Sequence, residues 1–154
     1  MSYSIILSGC GGAGRHVAKV ATASGRAEVV GLFDPNVDQI DKTQALYPGA
    51  ARGDDLQNLI ETLSPDIVAV AGPDHLHADQ TISALEGGCH VLVEKPMATT
   101  VADAERMIDA ADRTGLEIMA DHTVRYMYPW HEMSIAARTG EIGEIFFIQG
   151  DYIH

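Results

Sequence analysis

The sequence predicts an α/β protein built on a doubly wound parallel sheet. Three observations lead there. Short apolar runs alternate with segments of helical spacing along most of the chain. The runs are apolar at nearly every residue, as in strands covered on both faces, rather than alternating as in strands with one wet face. A glycine-rich turn, Gly9-Cys10-Gly11-Gly12-Ala13-Gly14, joins the first run to the first helical segment.

The elements follow in order. Tyr3 to Leu7 is a short apolar run that stops at glycines and reads as a buried strand. Gly12 to about Ser24 carries Val17, Ala18, Val20 and Ala21 and ends at Gly25, a helix with a glycine stop. Ala27 to Phe33 is a second buried strand. Pro35 to about Tyr47 is helical and is ended by Pro48-Gly49. Asp54 to Leu63 is a short helix that starts from an acidic turn.

The second half repeats the alternation. Asp66 to Ala71 is a strand, Asp74 to Glu86 a helix closed by Gly87-Gly88, and Cys89 to Val93 a strand. Thr99 or Thr100 starts the next helix, with Asp103 at capping-box spacing from Thr100. Val101, Ala104, Ile108 and Ala111 supply its expected buried stripe, and Gly115 closes it. Glu117 to Ala120 is a strand and Met127 to about Thr139 a helix. Glu144 to Ile153 reads as a longer strand, half exposed and antiparallel because FFIQGDYI mixes polar residues into the run.

Length and composition bound the rest. The chain has 154 residues, 46% of them hydrophobic, enough for one core. No apolar run of about 18 residues or more appears, so no membrane partner is expected. The start lacks signal-peptide character, and the expected compartment is cytoplasmic. A net charge of −12 argues against a nucleic-acid surface. An anionic cofactor is still compatible with that charge, because backbone N–H groups supply a local positive field. Cys10 and Cys89 have no metal-ligand spacing and read as a reduced pair; Cys10 is a small loop residue with no sign of a nucleophile. His75 and His77 form H-x-H, but no further ligands stand at zinc-like spacing, so no metal is expected. His122 and His131 have no assigned partner.

Gly9, Gly11 and Gly14 fit G-x-G-x-x-G between a strand and a helix. Gly9 permits the tight turn, Gly11 the approach of a pyrophosphate, and Gly14 the packing of helix on strand. Gly12 and Ala13 lie at the helix N-terminus, where unpaired N–H groups face the phosphates. Asp34 stands 20 residues after Gly14, at the end of the second strand, where a carboxylate accepts the ribose hydroxyls of NAD. It would repel the 2′-phosphate of NADP, so NAD is the expected cofactor and NADP the lesser one. The plain alternative is a ligand-free turn with Asp34 as a helix cap before Pro35.

The stretch AGPDHLHADQTISALEGGCHVLVEKPMATTVADAERMIDAADRTG resembles the Gfo/Idh/MocA family of oxidoreductases (glucose–fructose oxidoreductase, inositol dehydrogenase and their relatives). Pro73 and His77 after the fourth strand and Glu94-Lys95-Pro96 at a strand end carry the likeness. HTVRYMYP, with Arg125 and Pro129, and GEIGEIFFIQGDY extend it over essentially the whole chain. The resemblance implies a Rossmann NAD(P)-binding domain over residues 1–122. Residues 123–154 would then be a connecting helix and the first strand of an incomplete substrate domain. It also implies that Gly72, Pro73 and His77 lie along the cofactor, and that Glu94 and Lys95 sit at its nicotinamide end. Lys95 would be the active-site lysine, contacting the reacting hydroxyl or carbonyl of a sugar, inositol or related polyhydroxy substrate. Read alone, Lys95 is an ordinary solvated lysine paired with Glu94. Arg125 has two open roles, a contact to cofactor or substrate or a tie between domains.

Family members are about twice this length, and the catalytic histidine of the resemblance belongs to the part absent here. The expectation is therefore a chain that binds dinucleotide without efficient turnover, with its terminal strand available to pair with another copy. A non-catalytic dinucleotide-binding sensor or regulatory module is the alternative.

Overall fold

The computed structural model describes residues 2–151. They fall into two compact units, Met1–Asp121 and His122–His154.

The first unit is a six-stranded sheet of order β3-β2-β1-β4-β5-β6. Its strands are β1 (Tyr3–Ser8), β2 (Ala27–Phe33), β3 (Ala51–Gly53), β4 (Ile67–Val70), β5 (His90–Glu94) and β6 (Ile118–Asp121). Every pair is parallel. The helices between them are α1 (Gly12–Ala23), α2 (Val37–Gln44), α3 (Leu56–Leu63), α4 (His77–Glu86) and α5 (Val101–Thr114). This is the doubly wound arrangement the sequence predicts, with its switch point between β1 and β4.

Successive side chains of β1 point to opposite faces, and the core divides accordingly. Ile5 and Leu7 join Val17, Ala18, Val29, Leu32 and Ile40 under α1 and α2. Ile6 joins Leu59, Ile60, Val68, Val70, Leu85, Val91, Val93 and Met107 under α3, α4 and α5. Ile6, Leu7 and Leu32 are fully buried, each stabilising by roughly 1.5–3 kcal/mol relative to exposure. On the α1 side of the sheet, Ile67, Leu92 and Met119 line an open groove beyond α1.

Local chemistry sets the element boundaries. The Asn36 side chain accepts the Asp38 N–H at 3.0 Å, so α2 begins after it rather than at Pro35. Asp55 caps α3 through the Asn58 N–H at 2.7 Å. The expected capping box of α5 forms in half: Thr100 Oγ1 accepts the Asp103 N–H at 3.1 Å, while the Asp103 carboxylate takes the Thr100 hydroxyl at 2.7 Å rather than its backbone N–H. Gly115, at φ 69°, closes α5.

Three expectations need correction. β3 was not foreseen, because Ala51-Arg52-Gly53 lacks an apolar run; it is a three-residue edge strand pairing only with β2. The buried stripe of α5 is Met107 and Ala110, not Val101 and Ile108, which are exposed. The helix carries two apolar rows, and the row holding Met107 and Ala110 is the one that joins the core under α3, α4 and α5. Finally, residues 144–151 form no strand; the remainder of the expected strand, Tyr152 and Ile153, lies outside the described residues. A strand needs a neighbour to receive its N–H and C=O groups, and no strand occurs among the described residues of the second unit.

The second unit holds a 3-10 turn at Thr123–Tyr126 and helix α6 (Trp130–Thr139), ended by Gly140 at φ 76°. The Tyr126 and His131 rings lie 6.5 Å apart within it. Among the described residues, no helix is long and apolar enough to cross a membrane.

Candidate dinucleotide site

All strands run the same way, so their C-terminal ends share one edge. The register aligns Ser8 with Phe33 and with Val70, Val70 with Val93, and Glu94 with Asp121. The next residues along are Gly9, Asp34, Ala71-Gly72 and Lys95. Residues up to 86 positions apart in sequence thus line one edge. From β2 to β5 that edge spans three strand spacings, roughly 14 Å.

The glycine loop is held tightly. Gly9 has φ +106°, and a Cβ there would stand 2.5 Å from the Ala71 carbonyl carbon. A Cβ on Gly14 would collide with the Gly9 carbonyl oxygen. Gly9 thus brings β1 against β4, and Gly14 lays α1 on the turn. Gly11 and Gly12 differ: nothing lies within 4 Å of a Cβ added to either. Open space covers the start of α1, where Gly11 is the N-cap, no side chain caps the helix and no acid stands in the first turn. The first-turn N–H groups and the positive end of the helix dipole are offered to an anion. The residues present fit a pyrophosphate.

Asp34 clamps this loop. Its Oδ2 accepts the Cys10 N–H at 2.8 Å, and its Oδ1 accepts the Asn36 N–H at 2.8 Å. Each oxygen retains a lone pair for a ribose hydroxyl. The Cys10 carbonyl is held as well, by Arg15 Nη1 at 2.6 Å and Thr43 Oγ1 at 3.1 Å, while Arg15 Nη1 also donates to Gln39 Oε1 at 2.9 Å. Sequence reading missed Arg15, Gln39 and Thr43. The one available signal was Thr43, a polar residue three positions after buried Ile40 on the inner row of α2. Burial, then the Asp34 charge, pushes the Cys10 thiol up to about 11, so it stays neutral near pH 7 and is no nucleophile.

At the other end, Glu94 closes β5 and its Oε2 accepts the Lys95 N–H at 3.0 Å. The Glu94–Lys95 ion pair of the plain alternative does not form: among the described residues the Lys95 ammonium makes no salt bridge, and the residue is exposed. Pro73 is exposed ahead of a 3-10 turn at Asp74–Leu76. His77 is 1% exposed, with Nδ1 2.8 Å from the Pro96 carbonyl oxygen and Nε2 3.0 Å from the Gly72 carbonyl oxygen. His75 is exposed, and no group of three or more potential metal ligands gathers among the described residues. Arg125 lies exposed in the second unit, on its 3-10 turn.

A parallel sheet of this order, with a glycine loop opening an uncapped helix and an acid ending the second strand, defines a dinucleotide-binding α/β domain. Residues 3–122 match the Gfo/Idh/MocA oxidoreductase family with its NAD-binding Rossmann fold, and the chain belongs to that family. It is similar to the D-glucoside 3-dehydrogenase of Escherichia coli K12, 33% identical over 119 residues, 77% of this chain and 34% of that protein. It is also similar to the 4-carboxy-2-hydroxymuconate-6-semialdehyde dehydrogenase of Sphingobium, 32% identical over 123 residues, 79% of this chain and 39% of that protein. Among solved structures, the WlbA dehydrogenase of Bordetella pertussis, in complex with NADH and UDP-GlcNAcA, superposes with a TM-score of 0.84. There the identity is 28%, over 93% of this chain and 44% of that one. The chain thus spans between a third and a half of the length of these relatives.

Proposed function

We propose that this chain is the NAD-binding part of an oxidoreductase that oxidises a carbinol of a sugar, inositol or related polyhydroxy compound, or reduces the matching carbonyl. The observation that carries the reading is the shared edge, which lines up an open helix N-terminus, a ribose-binding acid and an exposed lysine along about one dinucleotide length. Gly11, Gly12 and Ala13 bind the pyrophosphate through their N–H groups. Asp34 accepts the ribose hydroxyls and rejects a 2′-phosphate. Arg52, which lines the hollow beside Asp34, is already paired with Asp41 at 2.8 Å and does not offset that repulsion.

When bound, the nicotinamide supplies hydride transfer. Lys95 does the chain's own chemistry at that end. Its Nζ takes up the hydroxyl proton as the hydride leaves the carbinol carbon, the ammonium so formed stabilises the remaining negative charge on the oxygen, and in the reverse direction that ammonium gives the same proton back to the carbonyl oxygen. The Glu94 carboxylate, bonded to the Lys95 N–H, fixes the backbone that presents the ammonium. The named substrates of the relatives, a glucoside, a nucleotide sugar acid and a muconate semialdehyde, share an oxygen-bearing carbon, which is what a lysine at this position recognises.

Calorimetric titration with NADH and with NADPH tests the reading. NADH is expected to bind more tightly, and Lys95→Ala is expected to leave NADH binding within about twofold, because an exposed cation at the far end adds little. In a longer chain that supplies a substrate domain, the same variant loses most turnover. Undiminished turnover there removes Lys95 from the mechanism, and a folded chain that binds neither nucleotide removes the whole reading.

A further inference from the structure

The β4–β5 ladder ends at Val70–Val93. Beyond it the chain continues into two loops, Ala71–Leu76 and Lys95–Ala98, and the second carries the lysine on which the proposed chemistry depends. Among the described residues, only the His77 ring comes within hydrogen-bond distance of both loops, its Nδ1 2.8 Å from the Pro96 carbonyl oxygen and its Nε2 3.0 Å from the Gly72 carbonyl oxygen. The ring is 1% exposed, among the largest fully buried side chains of the chain. Both nitrogens are committed to backbone, so neither is presented to a ligand.

We infer that His77 is a positioning residue, not a cofactor ligand: its imidazole clamps the Pro96 carbonyl to the Gly72 loop and thereby fixes the backbone of Lys95, one residue earlier. The inference rests on the reading of Lys95 given above. The chemistry suits the task. Imidazole is rigid, and its two nitrogens lie far enough apart to reach two backbone segments at once. A neutral ring donates to one carbonyl and a protonated ring to both. The ring is buried, so its nitrogens have few alternative partners if the two loops move apart. Lys95 is then held from two sides, by the Glu94 carboxylate on its own N–H and by His77 on the following carbonyl.

Three variants separate clamping from mere space filling. Asn places its amide nitrogen where Nδ1 stands, and Gln places its own near Nε2, while Phe fills the volume with no donor. The readout is hydrogen exchange of the Lys95 and Glu94 amides in the ligand-free chain. Alongside it runs NMR of the chain after ¹³C-dimethylation of its lysines, few enough to resolve Lys95. His77→Phe should speed exchange at Lys95 about tenfold, the effect of one lost hydrogen bond, and shift the Lys95 methyl signal. The β1 and β2 amides should stay protected. His77→Asn should restore Lys95 protection, whereas His77→Gln should not, because it reaches only Gly72. Equal behaviour of Asn and Gln, or unchanged Lys95 exchange in His77→Phe, overturns the clamp. If His77→Phe fails to fold, the Asn–Gln comparison still decides it. NADH titration of the parent chain is kept separate: absence of binding there refutes the dinucleotide reading, while the exchange data judge the clamp without any ligand.

Discussion

The Asp34 carboxylate accepts the Cys10 backbone N–H at 2.8 Å, binding the end of β2 to the middle of the glycine loop. One side chain therefore shapes the glycine turn and, in the proposed function, receives the ribose. Asp34→Ala should do two things at once. It should lower NADH affinity by tenfold or more and reduce the preference over NADPH. It should also lower folding stability by about 1.5–3 kcal/mol, the usual worth of charge-assisted hydrogen bonds. Calorimetry and urea unfolding read the two effects separately. A stability loss with an unchanged NADH-to-NADPH ratio would leave Asp34 a structural clamp alone.

Gly11 and Gly14 belong to one motif yet should fail in opposite ways. A methyl at residue 14 collides with the Gly9 carbonyl oxygen, a backbone atom that cannot swing aside. Gly14→Ala should cost about 3 kcal/mol or prevent folding. A methyl at residue 11 meets nothing within 4 Å, and its φ of −70° suits alanine. Gly11→Ala should remain folded within about 1 kcal/mol of the parent and still lose at least tenfold in NADH affinity, because the methyl occupies the space over the helix start. Thermal unfolding paired with titration separates the two, and a Gly11→Ala chain that binds normally would move the pyrophosphate elsewhere.

The same contrast marks what the sequence makes legible. Strand-turn-helix order, the three glycines and Asp34 were readable because each is a local requirement of backbone geometry or charge. The sheet edge that gathers Gly9, Asp34, Gly72 and Lys95 follows from parallel order, so it too was readable once the strands were. What was not readable depends on three-dimensional partners. β3 exists because β2 offers it an edge, not because Ala51-Arg52-Gly53 favours a strand. The Thr43 bond to the Cys10 carbonyl and the Arg15 bond to Gln39 join residues brought together by α2. His77 stood in the motif, but only the fold turns its ring inward onto Gly72 and Pro96.

The rotated stripe of α5 gives a direct test of packing. Met107 is 0% exposed and sits in the core beneath α4 and α5, whereas Ile108 is 52% exposed. Met107→Ala should cost about 2–5 kcal/mol through lost burial and a residual cavity. Ile108→Ala should stay within about 0.5 kcal/mol. Urea midpoints of the two variants check this, and similar losses for both would place α5 in the phase the sequence alone suggested.

Asp66 connects the start of β4 to β1 and makes part of the stability depend on pH. Its Oδ2 accepts both the Ser4 N–H at 2.7 Å and the Ser4 hydroxyl at 2.8 Å, while the Asp66 N–H donates back to the Ser4 hydroxyl at 2.9 Å. These bonds favour the charged form and hold its carboxyl below the ordinary 3.8, with the Ser4 backbone N–H as the largest cause. The sign follows. A carboxyl that is more acidic folded than unfolded contributes its full stabilisation above the unfolded value, and loses it as pH falls through the folded one. Asp66→Asn should therefore be less stable than the parent at pH 7. The gap should be constant down to about pH 5 and close below 3.8, as the parent carboxylate is protonated. Urea unfolding of both chains at pH 7, 5, 4 and 3 measures the gap. Asp103, also lowered by its neighbours, titrates in both chains and drops out of the difference. A gap that keeps its size at pH 3 would mean that the shape of the side chain, not its charge, holds β4 to β1.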